Sequence, residues 1–235
     1  MFSHAFAAGA LLGTAISPLV CVSAAERSPV AAAEDVVARV TPSAKGAVLF
    51  HLNPDQGNKI TISDIAGGIR VEASDVRRLV AGYGWYLKNI AKVHFSWNGN
   101  RITLPSPLPV PASPVTVESP WNIVFAYNYC TLSYTAAFWD WNRWQREIDF
   151  LALNGFTHAL VTAGLEKTWE DFFTGLGYPR EKALRFIPNP AFAAWWNMGN
   201  LEGHGGPLSQ QQINKMAQMG RRIVSRMEQL GMTPV

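Results

Sequence analysis

Residues 141–176 read WNRWQREIDFLALNGFTHALVTAGLEKTWEDFFTGL, and this stretch decides the fold. Trp141, Trp144, Ile148 and Leu151 recur at helical spacing, which sets Arg143, Gln145, Arg146 and Asp149 on the outward face. Gly155 ends that helix in the left-handed conformation that glycine tolerates. Residues 156–161 are short and apolar, the pattern of a buried strand. Residues 166–176 form the next helix, and Pro179 interrupts the chain shortly after it. Helix, strand and helix in so short a span is the grammar of a parallel sheet covered by helices.

The pattern extends in both directions. Upstream, residues 122–130 read as a strand. Downstream, Ser209 and Gln212 make a capping box for a long helix carrying Ile213, Met216, Ile223, Met227 and Leu230, and Gly231 closes it. Met232-Thr233-Pro234-Val235 then looks like the entry to a strand that never arrives. This is the opening of a (β/α)8 barrel or of a doubly wound sheet. A full barrel takes about 250 residues, and far fewer come after Trp121. The expectation is an incomplete barrel over 121–235, stopping at its third strand.

The first half is built differently, since seven of the nine tryptophans fall between Trp121 and Trp196. Residues 30–40 form a short amphipathic helix, and 47–52 a compact buried strand. Residues 59–65 form a second strand, with Ile60 and Ile62 expected to point outward among polar neighbours. Gly67-Gly68 turns into a third strand, and Ser74 is expected to cap a helix carrying Val76, Leu79, Val80, Tyr83, Leu87 and Ile90. Gly82 and Gly84 weaken that helix by ~1 kcal/mol each relative to alanine, so close packing on the sheet is expected there. Asn98-Gly99 predicts a hairpin with a type I′ turn. Together these make a small α/β domain over 26–104. Six of the fifteen prolines lie in 105–120, which reads as an extended linker.

Residues 1–25 contain no Asp, Glu, Lys or Arg. An apolar run from Ala5 to Val22 ends in Ser23-Ala24-Ala25, small residues suited to signal peptidase. A cleaved signal is expected, and hence an exported protein, periplasmic or secreted, with no membrane association after cleavage. Pro18 and the small residues favour cleavage over a retained anchor. Cys21 leaves with the signal, so Cys130 cannot form an intrachain disulfide. A hydrophobic content of 48% with 16% charged residues excludes a disordered chain. A scattered net charge of +3 excludes a nucleic-acid footprint. The histidines show no metal-ligand spacing.

Reactive positions in a barrel sit at the C-terminal ends of its strands. The first strand ends in Tyr127-Asn128-Tyr129-Cys130-Thr131-Leu132-Ser133-Tyr134, which gathers an amide, a thiol, hydroxyls and aromatic faces. Sugars are held by that mixture: C–H faces lie on rings, and hydroxyls need polar partners. Thr162-Ala163-Gly164-Leu165-Glu166 forms the second mouth, and the loop 193–200 adds Trp195, Trp196 and two asparagines. Packing is the simpler role for Trp139, Trp141, Trp144 and Trp169, and a solvated or salt-bridged helix face for Glu147 and Asp149. Glu166 is either a ligand-facing carboxylate or a charge placed for the helix dipole. No pair of carboxylates stands out as acid and nucleophile.

Longer strings carry a resemblance. Tyr127 to Tyr134, Trp139-Asp140-Trp141-Asn142-Arg143-Trp144 with Gln145 to Asp149, and Leu151-Ala152-Leu153-Asn154-Gly155 resemble alpha-N-acetylglucosaminidases, glycoside hydrolase family 89. So do Pro190-Ala191-Phe192-Ala193-Ala194-Trp195, Asn197-Met198-Gly199-Asn200-Leu201 and Gly231 to Val235. In the first half, 73–90 and Phe95-Ser96-Trp97-Asn98-Gly99 resemble the family's small N-terminal domain. The resemblance implies a retaining exo-glycosidase that removes terminal α-linked N-acetylglucosamine from a glycan, with no cofactor. It implies substrate-binding positions at Asn128, Cys130, Tyr134, Glu166, Trp195 and Met198. Leu165 stands where the family usually has glutamine. The family's two catalytic glutamates lie on later barrel strands, so no catalytic residue is expected within this chain, nor turnover by it alone. A noncatalytic carbohydrate-binding protein is the alternative.

Overall fold

The computed structural model describes residues 28–201 and 206–235, so the expected signal and Cys21 lie outside the described residues. Helix α1 (Ala31–Val40) leads to strand β1 (Val48–Leu52), β2 (Lys59–Ile65) and β3 (Gly68–Ala73). Helix α2 (Val76–Asn89) crosses back, and β4 (His94–Phe95) pairs antiparallel with β5 (Asn100–Arg101). Strand β6 (Val115–Glu118) completes a four-stranded sheet of order β1-β3-β2-β6. β1 runs parallel to β3 with Phe50 opposite Val71, and β2 lies antiparallel to β3 with Ile62 opposite Val71.

Several local expectations change. Ile60 and Ile62 face inward: Ile62 is fully buried, and a Cβ on Gly82 would meet Ile60 and Val71, so the helix backbone sits directly on that face. Gly84 is close-packed too, but against the Leu153 carbonyl rather than the sheet. The cap of α2 is Asp75, whose carboxylate accepts from the Arg78 amide, while the Ser74 hydroxyl donates to the Gly57 carbonyl. The β4–β5 connection is a four-residue loop closed by Ser96 and Gly99, and Asn98 does not take the positive φ of a type I′ turn. Segment 105–120 is more than a linker: β6 pairs with β2, Glu118 opposite Lys59, and the Tyr86 hydroxyl donates to the Pro109 carbonyl at 3.0 Å.

The second half begins with β7 (Phe125–Ala126), α3 (Tyr129–Tyr134), α4 (Trp141–Leu153) and β8 (His158–Ala159). Helices α5 (Leu165–Gly175), α6 (Arg180–Phe186), α7 (Ala193–Asn197) and α8 (Gln210–Gln229) then lead to β9 (Thr233–Pro234). Strands β7, β8 and β9 form a parallel sheet with β8 in the middle, and the sheet is not closed. The last strand therefore does arrive, and the Val161 amide donates to the Val235 carbonyl at 2.8 Å. Strand β7 is much shorter than 122–130. Tyr127 breaks it with a φ of +77°, and Asn128 immediately caps α3, so Cys130 and Tyr134 stand on a helix rather than on a strand end.

One continuous core joins the halves, running from Ala33 through Tyr83 and Tyr86 to Trp144, Ile148 and Met227. The face of α4 expected to be solvated or salt-bridged is salt-bridged and not solvated: Glu147 and Asp149 are both buried. They are tolerated because each is paired, Glu147 with Arg143 and Asp149 with Arg39. A smaller cluster forms around Ile187, Leu208 and Ile213, where Trp169 meets Trp196 edge-on at 4.4 Å. Trp144 and Trp169 are thus packing residues. Trp141 and Trp139 pack against the main core as well, and also carry the guanidinium groups of Arg222 and Arg143 on their faces, at 4.0 and 3.9 Å.

Candidate active site

Strand β7 leads into α3, and β8 leads into α5, so both helices start at the C-terminal mouths of the sheet. The short helix α3 is fixed at its N-terminus by Asn128, whose side-chain oxygen accepts from the amide and hydroxyl of Thr131. It is fixed from behind by Ser133, whose hydroxyl oxygen accepts from the Ala194 amide at 2.8 Å. That bond seats α7 against α3. The consequence appears on the outer face, where the Trp195 indole N–H donates to the Tyr134 hydroxyl and the two rings meet edge to face with centroids 6.4 Å apart. Tyr134 and Trp195 nevertheless stay 61% and 46% exposed, so their rings remain available to a ligand.

The other expected residues divide between two places. Cys130 is a half-buried free thiol, one helical turn before Tyr134 and so on the same face of α3. Asn128 is exposed at the start of that helix, and Met198 is exposed at the C-terminus of α7. Glu166 stands apart. It is 6% exposed and lines a cavity of about 180 Å³ with Ser133, Thr162, Trp139, Met216 and Lys215. Neither Tyr134 nor Trp195 lines that cavity. Ser133 lines it beside Tyr134 in sequence, and Ala193 lines it from the start of α7, so Glu166 lies behind the α3–α7 pair.

Close backbone contact holds Glu166 there. A Cβ on Gly220 would lie 2.1 Å from the Ala163 carbonyl oxygen, so α8 presses directly on the loop after β8. Gly164 takes a φ of +95° and donates its amide to Glu166 Oε2 at 3.1 Å. Burial nevertheless dominates and pushes the carboxyl up to about 7, against the opposing pull of the backbone hydrogen bonds. Such a group can hold or release a proton near neutrality.

A second buried arrangement was not legible in the sequence. The Tyr127 hydroxyl donates to Glu147 Oε1 at 2.5 Å, and Arg143 donates to Oε2 at 2.7 Å. Burial and the adjacent carboxylate push the Tyr127 phenol far above its ordinary value. This chain of contacts braces the positive-φ residue at the mouth of β7. Only the i,i+4 spacing of Arg143 and Glu147 hinted at it. Among the described residues, no group of three or more His, Cys, Asp or Glu side chains could hold a metal ion. Among the same residues, no helix is long and apolar enough to cross a membrane.

Comparison with known proteins agrees with this architecture. Residues 31–110 match the family model described as the alpha-N-acetylglucosaminidase (NAGLU) N-terminal domain, and 124–235 match the tim-barrel domain of the same family. Human alpha-N-acetylglucosaminidase is 38% identical over 170 residues, which is 72% of this chain and 23% of the human protein. A family 89 glycoside hydrolase from Clostridium perfringens, in complex with 2-acetamido-1,2-dideoxynojirmycin, superposes with a TM-score of 0.84 at 30% identity. That match covers 88% of this chain and 24% of the other. The same enzyme with two glutamates replaced by glutamine, bound to its substrate GlcNAc-alpha-1,4-galactose, gives the same TM-score at 29% identity and the same coverage. The chain therefore spans about a quarter of the length of these relatives. On its two matched domains, and on their agreement with an open parallel sheet flanked by helices, it belongs to the alpha-N-acetylglucosaminidase family, glycoside hydrolase family 89.

Proposed function

We propose that this chain forms the first part of an exported glycosidase that removes terminal α-linked N-acetylglucosamine with retention of configuration. The observation that carries this reading is the exposed Tyr134–Trp195 pair, hydrogen-bonded to each other across α3 and α7, the helices that Asn128 and Met198 cap, with Cys130 one turn before Tyr134. Aromatic edges and faces accept the C–H surface of a pyranose, while an amide and a hydroxyl meet its polar rim. The substrate bound by the Clostridium perfringens relative supports the choice of sugar.

A retaining reaction needs two carboxyls about 5–5.5 Å apart, one to protonate the glycosidic oxygen and one to attack the anomeric carbon. Among the described residues lining the cavity behind α3, Glu166 is the one carboxylate. With no second carboxyl in that lining to complete the couple, Glu166 is neither acid nor nucleophile in this reading. The catalytic couple belongs outside these 235 residues, and this chain supplies one wall of the sugar pocket.

Three measurements test the reading. The 235-residue protein is expected to release no nitrophenol from p-nitrophenyl N-acetyl-α-glucosaminide above a protein-free blank; turnover would overturn the assignment of the couple. A product of the same reading frame extending past Val235 is expected to release the α anomer first, seen by proton NMR before mutarotation; the β anomer would overturn retention. Export is tested by sequencing the amino terminus of the mature protein, expected to begin at Glu26.

A further inference from the structure

Away from the strand mouths, α1, α4 and α8 enclose a groove of about 400 Å³. From α8, Gln218, Arg221, Arg222, Ser225 and Gln229 line it, at spacings that place them along one helical stripe. Helix α1 contributes Asp35 and Arg39, and α4 contributes Trp141 and Gln145. With Arg226, four arginines line the groove.

These arginines are not equally served. Arg39 donates twice to Asp149, at 2.7 and 2.8 Å. Arg226 is only 6% exposed, yet its contacts are long: Asp149 Oδ1 at 3.5 Å, and the Ala32 carbonyl and Gln229 Oε1 at 3.4 Å. Its Nε is buried and has no hydrogen-bond partner among the described residues. A buried guanidinium with an unmade donor is costly, and burial together with neighbouring Arg39 pulls its pKa down, against the carboxylates of Asp149 and of Asp35, which also lines the groove. Arg222 lies over the Trp141 ring, which fixes its orientation at the groove wall. Ser225 and Gln145 add neutral donors.

We propose that this groove binds a tetrahedral oxyanion, phosphate or sulfate, either free or as the terminal ester of a larger molecule. Guanidinium forks match the oxygens of such an anion better than they match a chloride ion. The anion adds acceptors for Arg226, whose contact with Asp149 is long, and shares the groove with the Asp35 carboxylate, which the four arginines outnumber. None of the six expected sugar-site residues lines the groove, so the proposal stands apart from the glycosidase reading.

The test is calorimetric titration of the 235-residue protein with sodium phosphate, sodium sulfate and methyl phosphate, with ionic strength held constant by sodium chloride. One saturable site is expected. The double variant Arg221→Gln/Arg222→Gln, altered at two exposed side chains so that folding is spared, is expected to bind at least tenfold more weakly with an unchanged circular dichroism spectrum. Equal affinity for phosphate and methyl phosphate identifies an ester terminus as an acceptable ligand; much weaker methyl phosphate binding identifies the free dianion. No saturable binding above chloride, or unchanged affinity in the double variant, overturns the proposal.

Discussion

Arg39 and Asp149 meet in a two-point ion pair, Nε to Oδ2 at 2.7 Å and Nη2 to Oδ1 at 2.8 Å, although 110 residues separate them in sequence. One lies on the first helix of the small domain and the other on the long helix between β7 and β8, so the pair ties the halves together. Asp149 is 3% exposed at its side chain and also faces Arg226. Asp149→Asn leaves two arginines facing a neutral amide. A loss of about 3 kcal/mol is expected, read as a shift in the urea midpoint. Asp140→Asn, at an exposed helix cap where asparagine also caps well, is expected to change stability by no more than about 0.5 kcal/mol.

Close backbone contacts give a second test. Gly220→Ala would drive a Cβ to 2.1 Å from the Ala163 carbonyl oxygen, forcing α8 away from the loop that carries Glu166. A loss of about 3 kcal/mol is expected. Gly175, at the end of α5, has nothing within 4 Å of its would-be Cβ, so Gly175→Ala is expected to gain about 0.5–1 kcal/mol. Thermal unfolding followed by circular dichroism separates the two, and equal effects at both positions would contradict the packing described.

These residues also show where the sequence was legible. Helices α4, α5 and α8 follow from apolar spacing and end signals such as Gly155 and Ser209 with Gln212, whereas the short helices α3, α6 and α7 carry no such combination. The parallel sheet follows from the order of elements. Properties set by distant partners escaped. Asp149 looked outward because helical spacing records a neighbour's presence only through apolar residues, and its neighbours are arginines from α1 and α8. The end of β7 was misplaced because Tyr127 takes a left-handed φ that no local residue preference favours; the buried Glu147–Arg143 pair braces the residue there. In the candidate site, the resemblance named six residues, but only tertiary packing separates Glu166 from the Tyr134–Trp195 face.

The Glu166 carboxyl sets a pH dependence. Its value is raised from 4.5 to about 7, chiefly by burial. A raised folded-state value means that protonation favours the fold: the contribution is complete below about pH 4.5, declines as pH rises, and is lost by about pH 7. Measured against Glu166→Gln, whose side chain does not titrate, the native protein should lose about 3 kcal/mol of relative stability between about pH 4.5 and 7. Lys215 lines the same cavity, but the causes of the shift are burial and two backbone hydrogen bonds. Lys215→Met is therefore expected to leave the midpoint of this loss in place. A midpoint moved to higher pH would show instead that the ammonium was holding the carboxylate in its charged form.

The aromatic pair gives the sharpest test of the sugar site. Trp195 and Tyr134 contribute exposed rings, and neither belongs to the continuous core, so their removal should leave the fold intact. Trp195→Ala removes a stacking surface and is expected to weaken N-acetylglucosamine binding by about tenfold. Tyr134→Phe keeps the ring but removes the acceptor for the indole N–H, so Trp195 loses its fixed orientation; a several-fold loss is expected from a hydrogen bond worth about 1 kcal/mol. Phe138→Ala controls for exposed aromatic surface in general, since Phe138 is 77% exposed and lies outside the pair. NMR titration of the three variants should rank their affinities Phe138→Ala, Tyr134→Phe, Trp195→Ala, from native-like to weakest. If Trp195→Ala binds as tightly as Phe138→Ala, the ring pair is not a sugar platform, and the mouth of β7 must present its ligand to other groups.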